Sequence, residues 1–292
     1  LALSSRTGSD SSFLLIGTFM AAAYKIIPGL VKMINLAGQM KAYEFPVGTE
    51  QPEKRAQADA LNCPSIEGLS LRNLSHAFAG RQVLDPVTLD VNPGDFVGIR
   101  GASGIGKTTL LNLLVGFLEP TGGTISVNGQ RLAPRELRSL WPAVAYNRQQ
   151  AFLMQDSISR NITLGKPLDE DRFQNIVRKT GLAEILATFA EGADRIIAEN
   201  GRDLSGGQQQ RICLARTFYK EADLILLDEP FNELDAASEL RLLRYCRQLA
   251  ASGKMILMIS HHERSLSFCT KRFTLNDTRK DAHPAPAGLS EV

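Results

Sequence analysis

Short apolar runs separated by turn residues begin at about residue 66 and predict β-strands. Residues 69–78, 87–91 and 96–100 have the length and composition of strands. The segment Asn-Pro-Gly-Asp at residues 92–95 predicts a turn before the third of these strands. The amino-acid composition changes at about residue 66, so we expect a domain to begin there.

Segments with helical spacing alternate with two further strand-like runs. Residues 108–118, residues 168–192 and the segment after Gln208 predict helices. Residues 224–227 form a continuous apolar run, as a buried parallel strand requires. Residues 254–260 predict another strand. Strands and helices therefore alternate along this part of the chain.

The N-terminal region contains the longest apolar run, at residues 13–24. This run has twelve residues, whereas a full membrane span needs about 20. Apolar positions continue at helical spacing through residues 26–40, so an amphipathic helix follows the apolar one. We expect the last transmembrane helix of a membrane domain that begins upstream. A core or interfacial helix and a signal peptide are the alternatives.

Basic residues flank this apolar run unequally. Lys25, Lys32 and Lys41 follow it, whereas Arg6 alone precedes it. Lysine and arginine are enriched on the cytosolic side of membrane spans. We therefore expect a protein of the cell membrane, the inner membrane where there are two, with the residues that follow the apolar run on its cytoplasmic side.

The composition of the 292 residues limits the classes of function. Charged residues make up 22% and hydrophobic residues 43%, which excludes a disordered, collagenous or disulfide-stapled chain. The net charge of +2 gives no reason to expect a nucleic-acid partner. Cys63, Cys213, Cys246 and Cys269 form no CxxC pair, so neither a zinc site nor a disulfide framework is predicted.

A glycine-rich segment directly follows the strand at residues 96–100 and matches the phosphate-loop pattern GxxxxGK[ST]. Glycines let the backbone curl so that successive N–H groups point at phosphate oxygens. The helix that begins near Lys107 adds the positive end of its dipole. We expect Lys107 to neutralise the β- and γ-phosphates, and Thr108 to hold Mg²⁺ through its hydroxyl. The candidate nucleotide-binding residues here are Gly101, Ala102, Ser103, Gly104, Ile105, Gly106, Lys107, Thr108 and Thr109.

An acidic pair ends the buried strand at residues 224–227. Asp228 comes first, and an aspartate in this position can bind Mg²⁺ through its water shell. Glu229 follows, and its carboxylate can polarise an attacking water. A surface pair at a strand end is the alternative, but it fits poorly behind a buried strand in a chain with a phosphate loop.

A second phosphate-binding segment is predicted at residues 204–208, with sequence Leu-Ser-Gly-Gly-Gln. Ser205, Gly206, Gly207 and Gln208 would form a nest of backbone N–H groups at the start of a helix. One nucleotide has no evident use for two such loops. The simplest arrangement is a head-to-tail dimer in which each segment closes on the ATP held by the other subunit. A helix N-cap at Ser205 alone would not explain the two glycines.

The segments GASGIGKTT, LSGGQQQR and LILLDEP, in this order and spacing, resemble the nucleotide-binding domain of ABC transporters. The resemblance implies an α/β fold of the P-loop NTPase, ABC-type ATPase class. It would have a mixed sheet core, an antiparallel β subdomain and a helical subdomain. Residues 1–44 would end a transmembrane domain, 45–65 would be a linker, 66–276 the nucleotide-binding domain and 277–292 a polar tail.

The resemblance also assigns roles around the nucleotide. It places Phe78 where the family stacks an aromatic ring on adenine, with a core phenylalanine as the alternative. Gln149 falls in the Q-loop, which senses Mg²⁺ and contacts the membrane domain. The Val-Pro that usually precedes this glutamine is Asn147-Arg148 here, so the path of the loop is open.

Three further family segments follow from the same resemblance. Residues 199–201 match the stretch that faces the coupling helices in exporters. Residues 233–235 match the D-loop and bring Asp235 to the nucleotide, with Glu233 replacing a small residue. His261 lies where the family has its switch histidine near the γ-phosphate, whereas His262 is one residue late.

The implied reaction is ATP hydrolysis by two subunits that sandwich two ATP molecules. Lys107, Mg²⁺ and His261 would stabilise charge on the γ-phosphate, and Glu229 would orient water. We expect an exporter half-transporter with its membrane domain upstream on the same chain. Its partners would be a second ABC ATPase subunit, identical or different, and membrane lipid. The segment AAAYKIIPGLVKMI also resembles the last transmembrane segment of lipid and lipid-linked-oligosaccharide exporters, including PglK-type flippases.

Other functions stay open at this stage. The substrate could be a lipid, a lipid-linked sugar or a peptide. The chain could instead be the ATPase subunit of an ABC importer or a soluble ABC protein, although neither needs the apolar run at residues 13–24. DNA-repair and chromosome-associated ATPases with an ABC-type head interrupt it with a long coiled coil, and no heptad run occurs here.

Overall fold

The computed structural model describes residues 65–150 and 152–275. The predicted N-terminal helix, the linker up to residue 64 and the polar tail lie outside these residues. Within the described part, no helix is both long enough and apolar enough to cross a bilayer.

The described residues form nine strands and eight α-helices. The strands are β1 (Leu69–Phe78), β2 (Arg81–Val91), β3 (Phe96–Arg100), β4 (Gly122–Val127), β5 (Gln130–Leu132), β6 (Val144–Asn147), β7 (Leu224–Asp228), β8 (Met255–Ile259) and β9 (Lys271–Thr274). The helices are α1 (Lys107–Leu114), α2 (Pro134–Leu137), α3 (Ile158–Thr163), α4 (Glu170–Thr180), α5 (Leu182–Leu186), α6 (Gly206–Tyr219), α7 (Ala236–Ala251) and α8 (Glu263–Ser267). Short 3₁₀ turns lie at Arg138–Ala143, Gly192–Asp194 and Glu199–Gly201.

The strands form two separate sheets. One has the order β6-β7-β8-β3-β9, and each of its strand pairs in the described residues is parallel. The other has the order β2-β1-β4-β5 and is antiparallel. The predicted mixed core sheet is therefore corrected to a parallel sheet beside an antiparallel one. The reason is connectivity, because tight hairpins join β1 to β2 and β4 to β5, whereas long crossovers join the parallel strands.

Two apolar clusters cover opposite faces of the parallel sheet. Leu226, Leu257 and Ile259 pack with the leucines of α1 and with the antiparallel sheet. Leu227 and Met258, one position further along each strand, pack with α6 and α7. This alternation follows from the period of two residues along a strand. It places the carboxyl end of β7 between α1 and α6.

Polar caps start the principal helices of the second cluster. Ser157, Asp169, Ser205 and Asp235 each accept a backbone N–H bond at the start of α3, α4, α6 and α7. The predicted helical region between Gln149 and Ser205 is confirmed by α3, α4 and α5.

Two element boundaries differ from the sequence prediction. β2 begins at Arg81 rather than near residue 87, although Pro86 lies within it. Proline is tolerated there because β2 is the edge strand of its sheet. α1 ends at Leu114 rather than at residue 118, because Gly116 adopts a left-handed φ of 71° that ends the helix.

Candidate functional site

The phosphate loop, residues 101–108, forms a tight turn between β3 and α1. Gly104 and Gly106 have φ values of 76° and 98°, which glycine adopts without steric cost. A Cβ at Gly106 would lie 2.6 Å from the carbonyl oxygen of Val83. Glycine is therefore required at position 106 both by its backbone angle and by the close approach of β2.

Lys107, the first residue of α1, folds back over this loop. Its Nζ donates hydrogen bonds to the carbonyl oxygens of Gly101 at 3.0 Å and Ala102 at 2.9 Å. Burial lowers the pKa of Lys107, while the negative charges of Glu229 and Asp228 oppose that shift. The ammonium group thus lies against the loop carbonyls, beside two carboxylates.

Thr108 and Asp228 join the phosphate loop to the end of β7. Thr108 Oγ1 donates a hydrogen bond to Asp228 Oδ2 at 2.8 Å. Asp228 is 2% exposed, and this burial raises the pKa of its carboxyl group, whereas the Thr108 hydrogen bond lowers it. Two of the three side chains predicted to hold Mg²⁺, those of Thr108 and Asp228, are therefore direct neighbours, and Gln149 is the third predicted ligand.

Glu229 is the centre of a polar cluster of four side chains from three segments of the chain. Gln149 Nε2 and Asn232 Nδ2 donate to its Oε2 at 3.0 and 2.8 Å. His261 Nε2 lies 3.0 Å from its Oε1. The backbone φ of Glu229 is 48°, a conformation that is uncommon outside glycine and that occurs at active sites. The structure thus brings three predicted site residues together and adds Asn232.

The two neighbouring histidines have different contacts. His261 reaches Glu229 and keeps a side-chain exposure of 45%. His262 is the residue before α8, and its backbone N–H donates to Ser260 Oγ at 3.1 Å. Of the two histidines, His261 is thus the one beside Glu229, and its role near the γ-phosphate stays a prediction.

The signature segment, residues 204–208, begins α6 with a reciprocal cap. Gln208 N donates to Ser205 Oγ at 3.3 Å, and Ser205 N donates to Gln208 Oε1 at 2.9 Å. This is a capping box. In residues 65–150 and 152–275, the side-chain hydrogen bonds of Ser205 and Gln208 join these two residues to each other and not to the phosphate loop.

Glu233 packs on the two glycines of the signature segment. A Cβ at Gly206 would lie 2.9 Å from Glu233 Oε2, and a Cβ at Gly207 would lie 2.9 Å from the Glu233 carbonyl oxygen. The glycines therefore have a structural reason within one chain. A helix N-cap alone did not explain them, and the packing of Glu233 adds a reason within one chain. Their contact with the nucleotide of a second subunit stays a prediction.

The comparisons with known proteins agree with this geometry. The family model described as ABC transporter matches residues 84–232, about half of the chain. The chain belongs to the ABC transporter family.

Its relatives join an ATP-binding part to a permease or act as flippases. A probable ABC transporter ATP-binding/permease protein of Haemophilus influenzae is 31% identical over 79% of this chain and 42% of its own length. An ATP-dependent lipid A-core flippase of Burkholderia pseudomallei is 38% identical over 62% of this chain and 30% of its own length. This chain thus spans less than half of the curated relatives it matches.

A solved structure extends the likeness to the fold. It is a bacterial Atm1-family ABC exporter with ATP bound, and it matches with a TM-score of 0.68 and 29% identity, over 75% of this chain and 39% of that one. The described residues therefore form an ABC ATPase domain, which confirms the predicted fold class.

Phe78 lies on the surface of the ABC domain at the end of β1. It is 74% exposed, so the alternative of a core phenylalanine is wrong. Phe78 pairs with Arg81 across a two-residue turn in which Ala79 and Gly80 have positive φ. The hairpin fixes the strand end and leaves the ring free to contact a flat ligand. Its role on adenine stays a prediction.

Asn147 and Arg148, which replace the usual Val-Pro before the Q-loop glutamine, have different surroundings. Asn147 is 2% exposed, and neither polar atom of its amide has a hydrogen-bond partner. It pairs in register with Leu227 and thus lies on the α6 face of the sheet. Arg148 is exposed, and its positive charge opposes the rise that burial causes in the pKa of Asp228. The loop still presents Gln149 to Glu229.

Asp235 has contacts that the sequence did not predict. It caps α7 through bonds from Ala237 N and Ser238 N at 3.0 and 2.9 Å. Ser238 Oγ donates to it at 2.6 Å, and Arg211 Nη2 at 3.0 Å. Hydrogen bonds from Ser238 lower the pKa of Asp235 to about 2.

Sequence reasoning missed Asn232 and Arg211. Asn232 lies between Glu229, the residue after β7, and the D-loop, where a short polar side chain can reach back three residues. Arg211 follows the signature segment by three residues, on the first turns of α6. The only signal for either was its position beside a recognised motif, because their partners are set by tertiary structure.

Proposed function

We propose that this ABC domain hydrolyses ATP and that hydrolysis powers export or flipping of a substrate by a membrane domain upstream on the same chain. The observation that carries the proposal is the Glu229 cluster. A carboxylate held by Gln149, Asn232 and His261 lies beside the Thr108–Asp228 pair of the phosphate loop.

ATP is the substrate in this proposal. Its phosphates would bind residues 101–109, where the loop N–H groups and the start of α1 favour anions. Lys107 would leave the carbonyls of Gly101 and Ala102 to contact phosphate oxygens. The exposed ring of Phe78 would stack on adenine. The phosphate contacts use groups that belong to the loop and to the start of α1.

Glu229 would act as the general base. Its carboxylate orients a water for in-line attack on the γ-phosphorus and takes a proton from that water as the new P–O bond forms. The bond between the γ-phosphorus and the bridging oxygen breaks, and its electron pair stays on ADP. Gln149 and Asn232 fix Oε2, while His261 contacts Oε1 and would also donate to the γ-phosphate.

The donor set fits Mg²⁺. The ion prefers oxygen ligands and is usually held by one or two carboxylates together with substrate phosphates. Thr108 offers a hydroxyl and Asp228 a carboxylate, 2.8 Å apart, and Gln149 bonds to Glu229, the residue after Asp228. Within the described residues, no group of three or more His, Cys, Asp or Glu side chains could hold a metal. When bound, Mg²⁺ would neutralise phosphate charge.

A second ABC subunit, identical or different, would complete the site. In the signature segment, Ser205 and Gln208 bond to each other, and the N-terminus of α6 would be offered to an anion outside its own chain. Residues 204–208 would therefore close on the ATP of the partner. Differential affinity for ATP between the open and closed pair would drive the membrane domain.

The relatives support an exporter over a separate importer subunit. The Haemophilus relative is named an ATP-binding/permease protein, the Burkholderia relative a flippase and the solved neighbour an exporter. The proposal divides the chain as the sequence did, at residues 1–44, 45–65, 66–276 and 277–292. It places the ATPase domain on the cytoplasmic side of the inner membrane, and it leaves a lipid, a lipid-linked sugar or a peptide as the substrate.

The test uses the full-length protein in lipid nanodiscs. Glu229→Gln keeps the shape of the side chain but removes the base, so turnover of ATP falls about 100-fold or more. Bound ATP is then retained after rapid gel filtration. Glu184→Gln, an exposed acid in α5, is the matched control and keeps normal turnover. Near-normal turnover in Glu229→Gln overturns the catalytic assignment.

Export is tested separately in proteoliposomes. ATP-dependent movement of a labelled phospholipid, lipid-linked sugar or peptide, lost in Glu229→Gln, supports the transport half of the proposal. ATPase activity without any membrane-associated form of the protein contradicts it and favours a soluble ABC protein.

A further inference from the structure

Glu233 covers the end of the helix that the proposed dimer needs. Its carboxylate and its main-chain carbonyl both pack on the first turn of α6, at Gly206 and Gly207. Glu233 and Gly206 are both exposed, so this contact lies on the surface and not in the core. The side chain can leave without disturbing the apolar clusters.

The charge of Glu233 suits the place it occupies. The first N–H groups of a helix have no partner within the helix, and the helix dipole is positive there. The capping box uses the N–H groups of Ser205 and Gln208. The first turn of α6 carries no acidic residue of its own. Glu233 therefore supplies the negative charge that this helix end favours.

The same helix end is the one that the proposed function assigns to the partner's ATP. A γ-phosphate and the Glu233 carboxylate are both anions, and both would need to lie next to Gly206. Two anions that lie next to the same residue repel each other. The two anions therefore compete for one position.

We infer that Glu233 is an intrasubunit competitor that occupies the signature segment until ATP-driven closure displaces it. It raises the ATP concentration at which two subunits close. This inference rests on the proposed function, because it assumes that residues 204–208 meet the partner's nucleotide. It explains what a glutamate does in a D-loop position where a small residue is usual.

Occlusion of nucleotide gives a direct test. In full-length protein in nanodiscs that carries Glu229→Gln, radiolabelled ATP retained after rapid gel filtration is measured against ATP concentration. Adding Glu233→Gln, which keeps the shape but removes the charge, lowers the half-maximal ATP concentration roughly two- to fivefold. Glu233→Ala gives the same shift. The difference shrinks in high salt, because exposed charges are screened.

The control is Glu184→Gln in the same background, which removes an exposed charge from the first turn of α5 and leaves occlusion unchanged. Equal ATP dependence with and without Glu233→Gln overturns the inference. A shift in Glu233→Ala alone also overturns it, because the effect would then be steric. If no variant occludes ATP, the proposed closure of two subunits on ATP is itself overturned. This outcome differs from occlusion that does not depend on Glu233, which overturns only the inference about Glu233.

Discussion

Asn232 Nδ2 donates a hydrogen bond to Glu229 Oε2 at 2.8 Å, three residues along the same chain. The contact is possible because Glu229 has a φ of 48°, which turns the chain back at the end of β7. Gln149 donates to the same oxygen at 3.0 Å. The carboxylate is thus fixed on one side, and Asn232 is a positioning residue for the proposed base.

Asn232→Ala should lower the turnover of ATP about tenfold, because Glu229 then keeps only Gln149 and His261 to hold it. The KM for ATP should change less than about twofold, since Asn232 contacts the base and not the phosphate loop. Steady-state ATPase assays of the full-length protein measure both constants. Asn175→Ala, at an exposed asparagine of α4, is the control and should change neither.

Asn232→Asp tests the same contact through pH. A second carboxylate next to Glu229 repels the negative charge that the proposed base carries. The acidic limb of the pH profile for turnover should move to higher pH, which a merely structural role would not produce. An unshifted profile would argue that Asn232 does not act on Glu229.

Phe78→Ala should raise the KM for ATP without loss of stability. The ring is 74% exposed, so its removal leaves no cavity. Stacking of a base on an aromatic ring contributes about 1–3 kcal/mol, which corresponds to a roughly tenfold effect. Phe78→Tyr should restore binding. Phe152→Ala, at another exposed phenylalanine with 64% exposure, is the control, and an equal effect there would remove the case for stacking.

The sequence predicted the chemistry of the site better than the contacts within it. The phosphate loop, Asp228 and Glu229 follow from local motifs, since a strand, a glycine turn and a helix start position them. Asn232 and the packing of Glu233 on Gly206 depend on segments that meet only in the folded chain. Such contacts leave no periodic trace in a single sequence.

For the fold, too, the sequence predicted individual elements better than the way they pair. Strand alternation and helix spacing predicted β3, α1, α6, β7 and β8, whereas β6, which leads into the Q-loop, and α7, which follows the D-loop, were not predicted. The separation into a parallel and an antiparallel sheet depends on which strands pair, and the full length of β2 depends on its being at an edge, where Pro86 is tolerated. Both are properties of the assembled sheet.

Asn147→Val should stabilise the ABC domain. The Asn147 amide is buried and has no partner, and burying such a group costs about 1–3 kcal/mol. Valine suits a strand and removes the polar atoms. The midpoint of urea unfolding should rise, whereas Asn147→Ala, which also leaves a void, should give a smaller gain. Destabilisation by valine would mean that the amide has a partner in solution.

Asp235 should make the stability of the domain fall as the pH is lowered in the acid range. Its pKa is lowered from 3.8 to about 2, so the folded state favours the charged carboxylate. This contribution is present above the ordinary value and is lost as pH falls from about 4 towards 2. Asp235→Asn should therefore destabilise the domain at pH 7, and the difference from the unchanged protein should shrink across that interval. Urea unfolding at a series of pH values measures it.

The two signature glycines should respond differently to alanine. At Gly207 the new Cβ would lie 2.9 Å from the backbone oxygen of Glu233, and relief requires the chain to move. At Gly206 it would lie 2.9 Å from the carboxylate oxygen of Glu233, which is the far end of a flexible side chain. Gly207→Ala should thus lower stability by about 1–3 kcal/mol, and Gly206→Ala by much less.

Urea unfolding of both variants checks this order, with Gly68→Ala as the control, because a Cβ at Gly68 would meet nothing within 4 Å. When Glu233→Ala is also present, Gly206→Ala should no longer lower the stability, since the carboxylate that the new Cβ would contact is gone. The cost of Gly207→Ala should persist when Glu233 is alanine, because the contact is with the main chain. Equal behaviour of the two glycines would contradict the packing of Glu233 on α6.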